Sequence, residues 1–254
     1  MNCMYVANGL NQYMGIVRGG VYERTAFDLD GNQTNVVTAT GEWAVEYNGE
    51  NRPVRWSLLI GGNLENPAEI RNLPKTIFMS YDRAGRRIAR DDAYALYGGH
   101  LNITQTIWDP SEPIETRPLA RIGDEHGTFL YFQDGNKNVA SVVSSIDIKN
   151  INYTPFGLGG NRSEWGFSSE YLDSSIKAIY YNFRHYNPII GRWVSRDSIE
   201  VLQGGGAYSF NVNDPENFTD HLGQCPVLLL YQERGLLLVS LWKLLRYQRR
   251  YHTL

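Results

Sequence analysis

Phe27-Asp28-Leu29-Asp30-Gly31-Asn32-Gln33-Thr34 begins a stretch that ends at Tyr47-Asn48-Gly49-Glu50-Asn51-Arg52, and its reading decides the fold. Asp, Gly and Asn crowd into residues 28–32, where a chain reverses because these residues bond their own backbone or accept a positive φ. Glu42–Tyr47 alternates apolar and polar side chains, the period-two pattern of a half-buried strand. Asn48-Gly49 then predicts a two-residue type I′ hairpin turn. The same grammar recurs outward from here. Val54–Ile60 runs into Gly61-Gly62, Thr76–Tyr81 into Asp82-Arg83-Ala84-Gly85, and Phe129–Phe132 into Asp134-Gly135-Asn136. Helical periodicity is scarce. Each unit is a strand, a turn and a strand; one unit cannot bury its face alone, so neighbours must stack. The expectation is a mainly β protein.

Composition agrees. The 254 residues include 25 glycines and 17 tyrosines. Glycine serves turns that need positive φ, and tyrosine suits a pleated, half-buried surface. Hydrophobic residues at 42% and charged residues at 20% exclude a disordered chain. A net charge of -3 gives no expectation of a nucleic-acid partner. The segment from Cys225 to Leu254 is the basic part, with Arg234, Lys243, Arg246, Arg249 and Arg250 against Glu233 alone. The start of the chain lacks a basic segment followed by an apolar run, so no signal peptide is expected. Ser240 and Lys243 interrupt the apolar tail, so no transmembrane segment is expected either. Cys3 and Cys225 stand near opposite ends without a CxxC pattern. The five histidines, His100, His126, His185, His221 and His252, are scattered, so neither a metal site nor a cofactor is expected.

The quoted stretch resembles the YD repeat, Tyr-Asp-x-x-Gly-x-x-Thr followed by an extended segment ending Tyr-x-x-x-Asn-Arg. Tyr81-Asp82-Arg83-Ala84-Gly85-Arg86-Arg87 resembles the start of a second copy. Phe132-Gln133-Asp134-Gly135-Asn136-Lys137-Asn138-Val139 looks like the last such turn of that family. A more specific resemblance lies downstream. It runs through Tyr153-Thr154-Pro155-Phe156-Gly157, Phe167-Ser168-Ser169-Glu170-Tyr171-Leu172-Asp173 and Tyr180-Tyr181-Asn182-Phe183-Arg184-His185-Tyr186-Asn187-Pro188. It continues with Gly191-Arg192-Trp193-Val194-Ser195-Arg196-Asp197, Tyr208-Ser209-Phe210, Asn213-Asp214-Pro215 and Asp220-His221-Leu222-Gly223. These motifs are similar to the core associated with bacterial Rhs proteins, and the likeness to the Rhs/YD-repeat family covers roughly Phe27 to Gln224. It implies three regions: YD-repeat sheet over 1–150, an Rhs repeat-associated core over 151–224, and a short variable tail over 225–254. In the family the sheet spirals into a hollow shell, the core plugs one end, and the released C-terminal polypeptide is often a toxin. Within the core, Tyr180, Tyr181, Phe183 and Tyr186 are strand formers expected to pack a sheet. Asn187-Pro188 marks a turn, and Trp193 is the expected anchor.

The resemblance also implies that the core cuts its own chain with paired aspartates. Carried over residue by residue, it makes Asp197 and Asp220 the catalytic pair and Arg196 their helper, with the cut near Gln224–Cys225. Such chemistry needs two close carboxylates, one acting as base on water and the other as acid. The sequence departs from the motif. Asp197-Ser198-Ile199-Glu200 stands for Asp-Pro-x-Gly, and Asp220-His221-Leu222-Gly223-Gln224 for Asp-Pro-x-Gly-Leu, so both φ-fixing prolines are absent. Two readings of the aspartates therefore stand side by side: a self-cleaving pair, or formers of loop turns.

Three function classes follow. The first is a structural, encapsulating end piece of an Rhs polymorphic-toxin-type shell, exported or at the cell surface, with other shell chains as partners and a toxin cargo in the tail. The second is an autoproteolytic aspartic peptidase acting only on itself. The third is a carbohydrate- or surface-binding module, since exposed Tyr and Trp suit sugar stacking. Asp28, Asp30 and Asn32 resemble a calcium loop only at its start and read as a hairpin turn. Arg83, Arg86, Arg87 and Arg90, followed by Asp91 and Asp92, read as a solvated face. Leu236–Leu245 with Arg246, Arg249 and Arg250 reads as a basic amphipathic helix or as a degenerate cargo. Open strand edges predict poor solubility of the chain alone, or pairing with another repeat chain.

Overall fold

The computed structural model describes residues 3–18, 20–61, 75–83, 87–92, 104–111, 117–123, 127–159, 164–197, 206–220, 222–223 and 226–228, with the backbone alone at Cys3, Asp92, Thr104, Gly123 and 226–228. Among these residues every strand pairing is antiparallel and no α-helix occurs. A first sheet holds β1 (Cys3–Ala7), β2 (Tyr13–Arg18) and β3 (Val21–Arg24). A second runs in chain order through β4 (Ala26–Phe27), β5 (Gln33–Thr38), β6 (Gly41–Tyr47), β7 (Pro53–Gly61), β8 (Thr76–Tyr81) and β9 (Arg87–Asp92). The third holds β10 (Thr104–Trp108), β11 (Pro118–Gly123), β12 (Gly127–Gln133), β13 (Val139–Val143) and β14 (Ile148–Asn150). The terminal sheet is β15 (Tyr171–Asp173), β16 (Ala178–Tyr181), β17 (Arg184–Asn187) and β18 (Arg192–Trp193). A last hairpin pairs β19 (Phe218–Asp220) with β20 (Pro226–Leu228). The mainly β expectation holds.

The turns share one construction. Asp28 Oδ1 accepts the N–H groups of Asp30 at 3.0 Å and Asn32 at 2.8 Å. Asp134 Oδ1 does the same for Asn136 and Asn138, and Asn48 Oδ1 for Glu50 and Arg52. Asn8 Oδ1 repeats it with Leu10 and Gln12. In each loop the residue three places after the Asx is left-handed: Asn11, Gly31, Asn51 and Lys137. The Asx side chain thus satisfies donors that the reversal would strand. This corrects the two-residue turn expected at Asn48-Gly49. The reversal is a five-residue loop, closed by Asn48 N–H to the Arg52 carbonyl at 3.0 Å, and Asn51 takes the positive φ of 61°. Asp28 likewise spends its carboxylate on its own hairpin.

In three of these four units a tyrosine closes onto the carbonyl that directly follows the loop; in the Asn8 unit Thr25 Oγ1 donates to that of Tyr13. Tyr47 Oη donates to the Gln33 carbonyl and Tyr81 Oη to that of Pro53, both at 2.8 Å, and Tyr153 Oη to that of Val139 at 3.1 Å. Tyrosine suits this place because its ring fills the sheet face while its hydroxyl reaches a polar partner.

The alternation read over Glu42–Tyr47 sends Trp43 and Val45 inward. They join Val36, Trp56, Ile77 and Met79 in one cluster, which Ile176, Ala178 and Val194 of the terminal region complete. Each fully buried side chain of this size contributes roughly 1.5–3 kcal/mol. The terminal sheet is held on by polar links too. Asn187 Nδ2 donates to the Val37 carbonyl at 2.8 Å, and Tyr208 Oη to that of Gly31 at 2.6 Å. Arg90 bonds Asp173 through Nε at 2.6 Å and Nη2 at 3.0 Å. Arg87 lies 4.1 Å over the Tyr180 ring. The basic run is thus not a uniformly solvated face: Arg83 is exposed, but Arg87 and Arg90 bind the terminal sheet.

Candidate functional site

Strands β16, β17 and β18 bury every residue. Tyr181, Tyr186, Trp193, Phe167 and Phe210 form their aromatic centre, with Tyr186 stacked on Phe210 at 4.1 Å between centroids. Trp193 is the anchor the sequence suggested. Phe183 instead sits half-buried in the β16–β17 turn, beneath the Arg52 guanidinium at 5.5 Å. Arg184, at the start of β17, is buried, with its guanidinium 4.1 Å over the Trp193 ring.

Arg184 brings the two predicted aspartates together. Its Nη2 lies 3.0 Å from Asp197 Oδ2 and 3.6 Å from Asp220 Oδ2. Its Nε donates to the Gly223 carbonyl, and its Nη1 to that of Ala207 at 3.4 Å. Asp197 and Asp220 are themselves buried. Removing three charges from water is costly, and their mutual pairing with added backbone bonds offsets it. Asp220 also forms a turn, its Oδ1 accepting the N–H groups of Leu222 at 3.1 Å and Gly223 at 2.8 Å. Gly223 has φ 74°, and a Cβ there would meet Tyr181 Cβ at 2.9 Å, so this approach requires glycine.

Arg196 stands elsewhere. It is exposed whereas Asp197 is buried, and its stem lies against Gly31, where a Cβ would come within 3.3 Å of Arg196 Cδ. Arg184 occupies the place between the carboxylates. The signal for it was available: an arginine inside a strand flanked by aromatic residues is set to be buried and then needs polar or charged partners.

Glu170 is the second residue that sequence reasoning missed. It is buried, and its Oε1 has no hydrogen-bond partner among the described residues. Burial pushes its carboxyl well above the ordinary range, and the Asp220 charge adds to this. Tyr181 is raised in turn by burial and by Glu170. His185, packed between Trp56 and Tyr180, is pushed down to about 3 by burial, with Arg87 adding to this. Burial lifts Asp173, but the hydrogen bond and charge of Arg90 outweigh it and leave it low. Among the described residues, no three His, Cys, Asp or Glu side chains converge on a position for a metal ion. No helix among them is long and apolar enough to cross a membrane. The Gln224–Cys225 bond, Arg86, Glu200, His100, His126, His221, His252, the cysteine side chains and the tail beyond Leu228 lie outside the described residues.

No protein-family model and no curated protein matches this chain. Solved structures do share its fold. The Tc holotoxin pore of Photorhabdus luminescens, carrying an aspartate-to-alanine mutation in TccC3, matches 92% of this chain at TM-score 0.58 and 14% identity. A TcdB2-TccC3 crystal structure matches 78% at TM-score 0.56 and 16% identity. TcdB2-TccC3 without its hypervariable C-terminal region matches 87% at 0.50 and 14%. The chain spans only 13%, 11% and 15% of the respective matched chains.

Proposed function

We propose that this chain is the terminal piece of a larger Rhs-type β-shell. Residues 1–150 form YD-repeat wall, residues 151–224 a plug of the Rhs repeat-associated type, and residues 225–254 a variable tail presented beyond it. The observation that carries this reading is the shared core. The wall's inner face is filled by the terminal sheet, while Val21, Tyr22, Ile60, Ile88, Phe132 and Ile148 stay exposed on the strip and its flanking sheets. Apolar side chains spread over sheet faces and edges call for covering strands. Those strands come from the rest of a shell or from another YD-repeat chain. The short part of each matched structure that the chain spans supports this, as does the match to TcdB2-TccC3 from which a hypervariable C-terminal region is absent. The setting proposed is a bacterial polymorphic toxin, secreted or at the cell surface. Light scattering tests it: the isolated chain is expected to self-associate, and a stable soluble monomer would overturn the reading.

Self-cleavage is the second reading, and the Arg184 cluster favours it. The hairpin sets Asp220 opposite Pro226, and Gln224–Cys225 falls between these two residues in sequence. In the proposed reaction one aspartate takes a proton from water and the water oxygen adds to the Gln224 carbonyl carbon. The C–N bond then breaks and the Cys225 nitrogen leaves as an amine after gaining a proton. Arg184 positions both carboxylates and the Gly223 carbonyl, and Glu170 is a buried carboxyl suited to holding a proton nearby. Intact mass decides it. The parent is expected to lack residues 225–254, while Asp197→Asn keeps the full 29.0 kDa. Full-length mass in both overturns the cleavage reading and leaves the shell reading untouched.

A further inference from the structure

We infer that Glu170 is a positioning residue of the Asp197–Asp220 centre and that its ionisation switches the proposed cleavage off. This role rests on the self-cleavage reading and deepens it.

Backbone strain places this carboxyl. Ser168 and Ser169, directly before it, are both left-handed, with φ 54° and 61°, where residues other than glycine are uncommon. The Asp134–Asn138 loop pins them both. Ser168 N–H donates to Asn138 Oδ1 at 2.8 Å, and Ser169 Oγ to the Lys137 carbonyl at 2.6 Å. Glu170 N–H then closes the turn onto the Phe167 carbonyl at 3.0 Å. The turn leaves Glu170 6% exposed, with Oε1 unpartnered among the described residues. An unpaired buried oxygen weakens a core, so packing alone does not account for this side chain. Strain of this kind gathers at functional sites.

The surroundings tie Glu170 to the centre. Facing it are Asp220 at the end of β19, Lys137 in the loop, and Tyr180 and Tyr181 of β16. Tyr181 backs onto Gly223, where a Cβ would meet Tyr181 Cβ at 2.9 Å, and Gly223 N–H donates to Asp220 Oδ1 at 2.8 Å. Burial favours the neutral acid, the Asp220 charge adds to this, and Lys137 opposes both.

The charge of Glu170 matters because of what the reaction develops. As the water oxygen bonds the Gln224 carbonyl carbon, one aspartate takes a proton from the water. The carbonyl π pair moves onto oxygen, which receives the proton held by the other aspartate. The C–N bond then breaks, the Cys225 nitrogen gains the proton taken from water, and one hydroxyl of the adduct returns a proton to the second aspartate. Negative charge builds on the carbonyl oxygen until its proton arrives. A neutral Glu170 leaves that charge unopposed, whereas a carboxylate beside Asp220 repels it in a medium that screens poorly.

The test is a pH profile of cleavage. The full chain, unfolded in urea and diluted into buffers of rising pH, is followed by intact mass for loss of the 29.0 kDa species. Above the Glu170 transition the parent's rate is expected to fall about tenfold per pH unit. Glu170→Gln cannot ionise, so it should keep the acid-side rate while its falling limb moves up by at least about one pH unit. Lys137→Met removes the cation that favours the carboxylate and should move the limb the same way by less, which decides the matter if the first variant fails to fold. Coincident limbs in all three proteins, or a folded Glu170→Gln chain that never cleaves while the parent does, overturn the gating role and leave the cleavage reading standing. A parent that keeps its full mass at every pH sinks the cleavage reading, and this role with it.

Discussion

Strand β8 buries Ile77 and Met79 and exposes Phe78 and Ser80, whereas β16 and β17 bury all of their residues. The wall and the terminal sheet use the same antiparallel hairpins with opposite exposure. The wall is dry on one face, so its sequence alternates. The terminal sheet is enclosed on both faces, so its sequence does not, and any charge within it requires a partner. Asp173 has Arg90, and Arg184 has Asp197 and Asp220. Substitutions should therefore be costly throughout the terminal sheet and, in the wall, only on alternate positions.

The largest expected contrast is between Trp193→Ala and Phe78→Ala. The first removes a 2% exposed anchor and a cation–π partner, and is expected to cost about 3–5 kcal/mol. Phe78 is 49% exposed, and its loss is expected to cost below about 1 kcal/mol. Urea unfolding of both variants measures the difference; equal costs would break the comparison. Next comes Arg184→Met. Leaving two buried carboxylates without their cation is expected to cost about 3–5 kcal/mol. Adding Asp197→Asn should recover part of it, and a double variant no more stable than the single one would show that the three groups are not coupled.

The pH dependence should sharpen the comparison at an intermediate scale. His185 has a folded-state value near 3 against 6.5 for the free side chain. The unfolded chain therefore binds the proton first. Stability contributed by this group is complete above about 6.5 and is lost as the pH falls towards 3. The slope is on the order of 1 kcal/mol per pH unit. Glu170 has the opposite sign. Its carboxyl is raised above 4.5, so its contribution is complete below that value and is lost as the pH rises through the folded-state value. Chemical denaturation across pH should show His185→Leu flattening the acid limb and Glu170→Gln flattening the other. No change in either limb would remove both groups from the account. The smallest effect belongs to the wall's loops. Asp28→Ala removes bonds to Asp30, Asn32 and the Asn32 side chain, and is expected to cost about 1 kcal/mol. A loss as large as that of Trp193→Ala would mean that the loop, and not the core, limits stability.

Much of the wall was legible because its determinants are local. Asp28, Asn48 and Asp134 each bond backbone within four residues, so the reversal sites could be read directly. The geometry at Asn48-Gly49 could not. Asn-Gly favours a two-residue turn, but the Asn48 side chain caps Glu50 and Arg52 and moves the left-handed position to Asn51. Arg87 and Arg90 misled for a related reason: Asp91 and Asp92 follow them in sequence, while Asp173, which Arg90 holds, comes from another sheet.

By itself the sequence determined where this chain reverses, which wall residues face inward, and that an aromatic segment around Tyr180–Trp193 packs as a core. Asx capping, pleat periodicity and ring burial act over a few residues. Tertiary structure alone decided how the charges pair. Arg196 adjoins Asp197 in sequence yet is exposed where Asp197 is buried, whereas Arg184 of β17 reaches both Asp197, which follows β18, and Asp220 at the end of β19. Charge pairing follows distance through space in a medium that screens it poorly.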